Sequence, residues 1–192
     1  MSEKKHSGIV LAGGKSFRMG TDKGMIQWKG KTLAEHALEI ISPLCTEIFI
    51  SANSNDYNHF GYPILNDQYP DCGPIGGILT CMNQISTDLG IVIPIDMPFV
   101  TTEIYRKLMP QKETYDIIVA LDHDSWHQPL CSIFNKSIIP AMEEQINSGD
   151  LGLPALYSKV RTKKVRFQLD QEYYNKNIFF NINSQADFDA IS

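Results

Sequence analysis

Gly8-Ile9-Val10-Leu11-Ala12-Gly13-Gly14-Lys15-Ser16-Phe17-Arg18-Met19-Gly20 is the stretch on which the fold turns. Gly8 to Ala12 is a short apolar run of the kind that forms a buried strand, and it stops on a pair of glycines. Glycine and polar residues then continue to Lys23. Glycines after a first strand let the backbone come close to phosphates, so that several N–H groups can point at them. Ligands of open α/β sheets sit at the carboxyl ends of strands, where such a loop would lie.

The pattern downstream predicts which kind of sheet this strand enters. Thr32 followed by Glu35 has the form of a capping box, and Leu33, Ala37, Ile41 and Leu44 repeat at helical spacing behind it. Ile48-Phe49-Ile50 reads as the next strand and Pro63-Ile64-Leu65 as another short one. A second amphipathic helix, marked by Ile75, Ile78, Leu79, Met82 and Ile85, is entered through Gly73-Pro74. Ile91-Val92-Ile93-Pro94-Ile95 is continuously apolar, which suits a central strand covered on both faces. Pro94 cannot donate to a ladder, so it belongs near the strand end. Thr101 or Thr102 is expected to cap a third helix reaching Met109. Strands are expected over 116–121, 130–134 and 164–167, and helices over 137–147, 152–157 and from Ser184 onward. The polar and aromatic stretch 168–176 reads as a surface loop. This alternation argues for an α/β fold, a doubly wound, mostly parallel sheet with helices on both faces, in a single domain spanning 1–192.

The 192 residues suffice to bury a core without staples. A net charge of -5 gives the chain no global field for a polyanion, so no nucleic acid partner is expected. No apolar stretch approaches a membrane span. Met1 to His6 carries no signal-peptide core, and Cys45, Cys72, Cys81 and Cys131 show no metal or redox spacing. The expectation is a cytoplasmic protein with free, buried thiols.

Two common phosphate motifs fail on the loop. A Walker A segment ending at Gly14-Lys15-Ser16 would need glycine where Ile9 stands, and Gly8 is one residue too early. The dinucleotide spacing of glycines fails as well. What remains is a loop with Gly13, Gly14 and Gly20 that carries Lys15, Arg18 and Lys23, a plausible grip on a triphosphate. The bland alternative is a glycine turn with solvated charges. Asp96 ends the apolar run at 91–95, where a Mg²⁺ ligand would sit, although a lone carboxylate there is as often simply exposed or capping. Gly73-Pro74-Ile75-Gly76-Gly77 opens a helix whose N–H groups could face an anion or a base, or be a helix entry and nothing more.

The segment from Leu11 to Lys23 resembles the signature of the molybdenum cofactor guanylyltransferases, the MobA family. The likeness runs from Gly8 to the final helix and extends to Asp96-Met97-Pro98 and to Asp67 with Gly73-Pro74. It implies a Rossmann-like nucleotidyltransferase fold, with a nucleotide-binding part at about 7–110 and an acceptor-binding part at about 111–192. It also implies the reaction: the terminal phosphate of molybdopterin or Mo-molybdopterin attacks GTP at its α-phosphorus, and pyrophosphate leaves. Arg18, Lys23 and Asp96 are the catalytic residues so implied, with Asp96 as ligand to a Mg²⁺ cofactor. Leu11, Ala12, Gly13, Gly14, Lys23, Asn53, Asp67, Gly73, Gly77 and Asp96 are implied for the nucleotide, and Gln128, Asn181 and Asn183 for the acceptor. Relatives acting on other nucleotides usually carry Ala-Ala-Gly where this chain has Ala12-Gly13-Gly14, so Gly13 implies room for a purine. Transient contacts with other cofactor-biosynthesis proteins and molybdoenzyme chaperones follow from the same likeness.

The chain departs from the family after Gly149, where Asp150 replaces a basic residue; Lys159, Arg161, Lys163 and Lys164 are the cations left to supply charge nearby, or a solvated cluster. Two rivals stay open at this stage. One is a related nucleotidyltransferase using CTP or another nucleotide with a different phosphorylated acceptor. The other is a nucleotide-binding adaptor without turnover.

Overall fold

A computed structural model describes residues 6–13, 22–111 and 114–191. Strand β1 (Ser7–Leu11) pairs in parallel with β4 (Glu47–Ser51) on one side and β6 (Leu89–Pro94) on the other. Every residue of β1 and β6 is buried. Side chains alternate across the strand. Ile9 and Leu11 therefore join one core with Val92, while Val10 joins the other with Ile91 and Ile93. Burial on both faces is the reason these strands read as unbroken apolar runs.

Among the described residues the main sheet has the order β5-β4-β1-β6-β8-β7-β9, where β5 is Ile64–Leu65, β7 Ile117–Leu121, β8 His127–Asn135 and β9 Thr162–Arg166. Only β8 runs against its neighbours β6 and β7; the other pairings are parallel. Pro94 is the last residue of a central strand, opposite Leu11, where the missing donor costs least. Helices α1 (Leu33–Ile41) and α3 (Thr102–Leu108) cover one face, and α2 (Pro74–Gln84), α4 (Ile139–Asn147) and the short α5 (Leu153–Leu156) cover the other.

The capping box at α1 forms as expected: Glu35 N–H donates to Thr32 Oγ1 at 3.1 Å and Thr32 N–H to Glu35 Oε2 at 2.6 Å. At α3 Thr101 holds the N-cap position, as one of the two threonines expected there, but makes no side-chain cap bond; Thr102 Oγ1 donates to Ile40 O at 2.8 Å, tying α3 to α1. The stretch 168–176 is also more than a surface loop, because Tyr174 is buried, stacks on Phe167 and hydrogen-bonds His123. None of the four cysteines is in a disulfide; three of them are buried while Cys72 is half-buried.

A small hairpin outside the main sheet joins β2 (Gln27–Trp28) to β3 (Lys31–Thr32). Lys29 and Gly30 both take positive φ, 49° and 80°, as a two-residue turn of this hand requires. Trp28 and Leu33 pack with Ile182 of the C-terminal segment, and Trp28 Nε1 donates to Ile191 O at 3.0 Å. The final helix α6 (Gln185–Asp189) has a capping box between Ser184 and Asp187. The chain's last turn is thereby brought back against the sheet edge that carries the site.

Candidate active site

The parallel strands end on one edge, and their ends are stitched together there. Ala12 N–H donates to Ser51 O at 3.0 Å, Ile95 N–H to Leu11 O at 3.2 Å, and Ala52 N–H to Leu65 O at 3.2 Å. This edge collects Leu11, Ala12 and Gly13 from β1, Asn53 after β4, Asp67 after β5 and Asp96 after β6. Gly14 and Arg18, both implied by the sequence resemblance, lie outside the described residues.

Lys23 and Asp96 are the chemical centre of the edge. Lys23 Nζ donates to Asp96 Oδ2 at 2.9 Å, with the two side chains only 12% and 19% exposed. Asp96 Oδ1 is buried and has no hydrogen-bond partner among the described residues. An unpartnered carboxylate oxygen is costly when shielded from water, and it marks a place where a cation or donor fits. No group of three or more His, Cys, Asp or Glu side chains gathers to hold an ion among the described residues. Magnesium commonly takes one or two carboxylates and completes its shell with phosphate oxygens and water, so a lone Asp96 is compatible with it.

The segment 181–183 is brought to the same place by backbone and core. Ile182 is fully buried against Trp28 and Leu33, and its N–H donates to Asp96 O at 2.9 Å. Asn181 and Asn183 flank that anchor; Asn181 Oδ1 is buried and unpartnered among the described residues. Asp187 accepts from Asn183 N–H at 2.8 Å, a bond that, with help from Ser184 and the nearby Lys23 charge, lowers its carboxyl below the usual range.

On the other side Asn53 Oδ1 accepts Asp67 N–H at 3.0 Å, and Asp67 Oδ1 accepts Tyr69 N–H at 2.9 Å. Asn53 therefore braces Asp67. Gly73 is the exposed N-cap of α2, with φ of 64° that favours glycine. Gly77 is buried, and a Cβ there would come within 2.6 Å of Ser51 Oγ, so a larger residue would have to turn that hydroxyl aside for α2 to lie against β4. At Gly13 a Cβ would meet, among the described residues, Ser51 O at an ordinary 3.6 Å.

Gln128 stands on the neighbouring antiparallel strand, where its Nε2 donates to Asp122 Oδ2 at 3.1 Å. The β7–β8 register slips between Val119 and Ala120, so that Pro129 sits in an irregularity where a ladder donor can be spared. Among the described residues the side-chain hydrogen bond of Gln128 goes to Asp122, not to the Lys23–Asp96 pair. Of the cations left to replace the missing basic residue, Arg161 is committed elsewhere. Its Nη2 lies 2.9 Å from Asp116 Oδ1, at the start of β7 and the opposite edge of the sheet. Lys163 lies over the Tyr115 ring, also at that end.

Two residues of the site escaped the sequence reading. Asp22 caps the turn Lys23–Met25 by accepting Gly24 N–H at 2.9 Å, and Tyr57 donates its hydroxyl to the same Asp22 carboxylate. An aspartate two residues before a glycine is a turn signal that could have marked Asp22. Nothing local marks Tyr57, which is 35 residues away.

An open, mostly parallel α/β sheet whose first strand runs into glycine, with a lysine–aspartate pair at its carboxyl edge, has the layout of a nucleotide-binding enzyme site. The chain belongs to the family described as MobA-like NTP transferase domain, whose profile matches residues 8–165. It is 35% identical over 183 residues to the molybdenum cofactor guanylyltransferase of Vibrio parahaemolyticus, covering 93% of this chain and 90% of that one. It is 30% identical to a probable molybdenum cofactor guanylyltransferase of Carboxydothermus hydrogenoformans, covering 95% and 92%. The crystal structure of molybdopterin-guanine dinucleotide biosynthesis protein A from Archaeoglobus fulgidus shares the fold, with a TM-score of 0.80 at 23% identity and 96% of each chain covered.

Proposed function

We propose that this chain transfers GMP from GTP to the terminal phosphate of molybdopterin, or of Mo-molybdopterin, forming molybdopterin guanine dinucleotide. The observation that carries this reading is the Lys23–Asp96 pair at the end of β6, with Asp96 Oδ1 buried and without a hydrogen-bond partner among the described residues. The names of the relatives support the choice of guanylyl transfer over another member of the superfamily.

The attacking phosphate oxygen is already anionic at neutral pH, so no general base is needed. It forms a bond to the α-phosphorus as the α–β bridging P–O bond breaks, and the electron pair leaves on pyrophosphate. The barrier is the repulsion of two polyanions and the charge growing on the leaving group. Positioned cations lower it through electrostatics. Lys23 would move its ammonium from Asp96 to the triphosphate, and Arg18 would share that charge. The β1 end, from Leu11 through Gly14, would cradle the nucleotide with backbone N–H groups. Asp96 is the residue that would hold Mg²⁺, which when bound supplies positive charge at the phosphate oxygens. Asp67, braced by Asn53, would contact guanine or ribose, with Gly73 and the α2 entry on the same wall. Space at Gly13 favours a purine. Gln128, Asn181 and Asn183 would receive the acceptor. A nucleotide part at about 7–110 and an acceptor part at about 111–192 would divide the sheet at the antiparallel β6–β8 pairing. Among the described residues no helix is long and apolar enough to cross a membrane. A GTP-consuming enzyme with no cysteine in a disulfide belongs in the cytoplasm.

Pyrophosphate release from GTP, Mg²⁺ and molybdopterin tests the reading directly. Thermal shift with each nucleotide supplements it. Stabilisation by CTP or UTP in preference to GTP would remove the guanylyl assignment, and binding without pyrophosphate release would leave an adaptor.

A further inference from the structure

Tyr57 lies in the 3-10 segment Asn55–Phe60 between β4 and β5 and is completely buried. Its ring packs in the core with Ala12, Ile50 and Ala52. A phenylalanine would supply that packing. The hydroxyl adds a polar group that must be desolvated, which is unfavourable unless it is hydrogen-bonded. Its partner is the Asp22 carboxylate, with Ala12 O a longer second contact at 3.4 Å. Burial, and then the Asp22 bond, push the phenol well above its ordinary value, so it stays a proton donor wherever the protein is folded.

Asp22 in turn holds Gly24 N–H through the same oxygen, closing the turn in which Lys23 is the first residue. Gly24 is pressed against the phenol: a Cβ there would lie 2.2 Å from the Tyr57 oxygen. Lys23 is thus bracketed by two residues seated on one buried side chain, and its ammonium reaches Asp96, 73 residues further along. A lysine stem has four rotatable bonds, so the placing of its backbone sets how much freedom its charge retains.

We infer that Tyr57 is a positioning residue for nucleotide binding and transfer: by donating to the Asp22 carboxylate, its hydroxyl holds the turn that aims Lys23 at the phosphate site. The effect runs through Lys23, which gives it a signature that packing alone lacks. Tyr57→Phe in the full chain should weaken Mg²⁺-dependent GTP binding by up to about tenfold, the limit reached if the whole worth of one hydrogen bond to a charged group goes into holding the turn. The same substitution in a Lys23→Ala background should change GTP binding by less than about twofold, because the group it places is gone. Circular dichroism checks that each variant is folded. Asp22→Ala, at a half-buried position, should give the same Lys23-dependent loss, and adding it to Tyr57→Phe should cost nothing more. That arm carries the test if Tyr57→Phe does not fold.

An equal loss with and without Lys23, or additive losses at Tyr57 and Asp22, would overturn the inference and leave Tyr57 as core packing. The inference rests on reading the site as one for GTP. Failure of the unmodified protein to bind GTP would bring down that reading, whereas normal binding with a Lys23-independent loss defeats this inference alone.

Discussion

Removing Lys23 should separate stability, cation affinity and turnover in a way that only an ion pair at a catalytic carboxylate produces. At 2.9 Å and an effective dielectric of about 20, the gross attraction between Lys23 and Asp96 is roughly 6 kcal/mol. Most of this is offset by the desolvation of two side chains that are only 12% and 19% exposed. A net loss of about 1.5 kcal/mol is expected for Lys23→Ala. For a domain of this size that lowers Tm by about 3–6 °C. The same substitution leaves both Asp96 oxygens without an ammonium, so the carboxylate no longer has a competitor for a divalent ion. Apparent Mg²⁺ or Mn²⁺ affinity without nucleotide should rise about tenfold, the equivalent of 1.4 kcal/mol. On the proposed role of Lys23 as a transition-state cation, turnover should nevertheless fall by about 100-fold or more. Differential scanning fluorimetry across a cation titration, with pyrophosphate release beside it, reads all three quantities. Unchanged cation affinity together with near-normal turnover would refute the assignment of this pair to the catalytic centre.

Gly13→Ala should leave Tm within about 1 °C, because the added Cβ makes only an ordinary contact at 3.6 Å with Ser51 O, while thermal stabilisation by GTP falls relative to CTP. Retained GTP preference would show that this position does not choose the base. Gly24→Ala drives a methyl into the Tyr57 hydroxyl and should destabilise the protein by about 1–3 kcal/mol, read by urea unfolding. The Asp116 carboxyl is held down to about 2, chiefly by its hydrogen bonds from Arg161. Because its folded pKa is depressed, the stabilisation is complete above the ordinary carboxylate range and is lost as pH falls from about 4 toward 2. Arg161→Ala should raise the Asp116 titration midpoint, followed by NMR, and flatten the acid limb of the stability curve in that window.

Much of the architecture was legible because its signals are local. The apolar run at Ile91–Ile95 is continuous because both of its faces are covered, and Pro94 falls at the strand end as its missing donor requires. The boxes at Thr32–Glu35 and Ser184–Asp187 are contained within one turn, so their spacing alone predicts them. At α3 the adjacent threonines Thr101 and Thr102 mark the start, but only the proximity of Ile40 O decides that the Thr102 hydroxyl bonds to α1 rather than to the helix's own first turn. The β2–β3 hairpin was missed because each of its strands has two residues, too few to establish a period. Tyr174 reads as part of a polar loop, yet its ring is buried by Phe167 and Phe179, which lie outside that stretch.

The sequence by itself determined the alternation of the main-sheet strands with their covering helices and the glycine that follows the first strand, since each depends on short-range periodicity and backbone chemistry. Tertiary structure alone decided that Asp96 faces Lys23, that Ile182 anchors Asn181 and Asn183 beside them, and that Arg161 is drawn to the opposite edge by Asp116. It also decided that a tyrosine from a separate connection supports Asp22. These pairings join residues tens of positions apart. They follow from strand order and register, which the burial of both faces of the sheet sets collectively and which no single segment encodes.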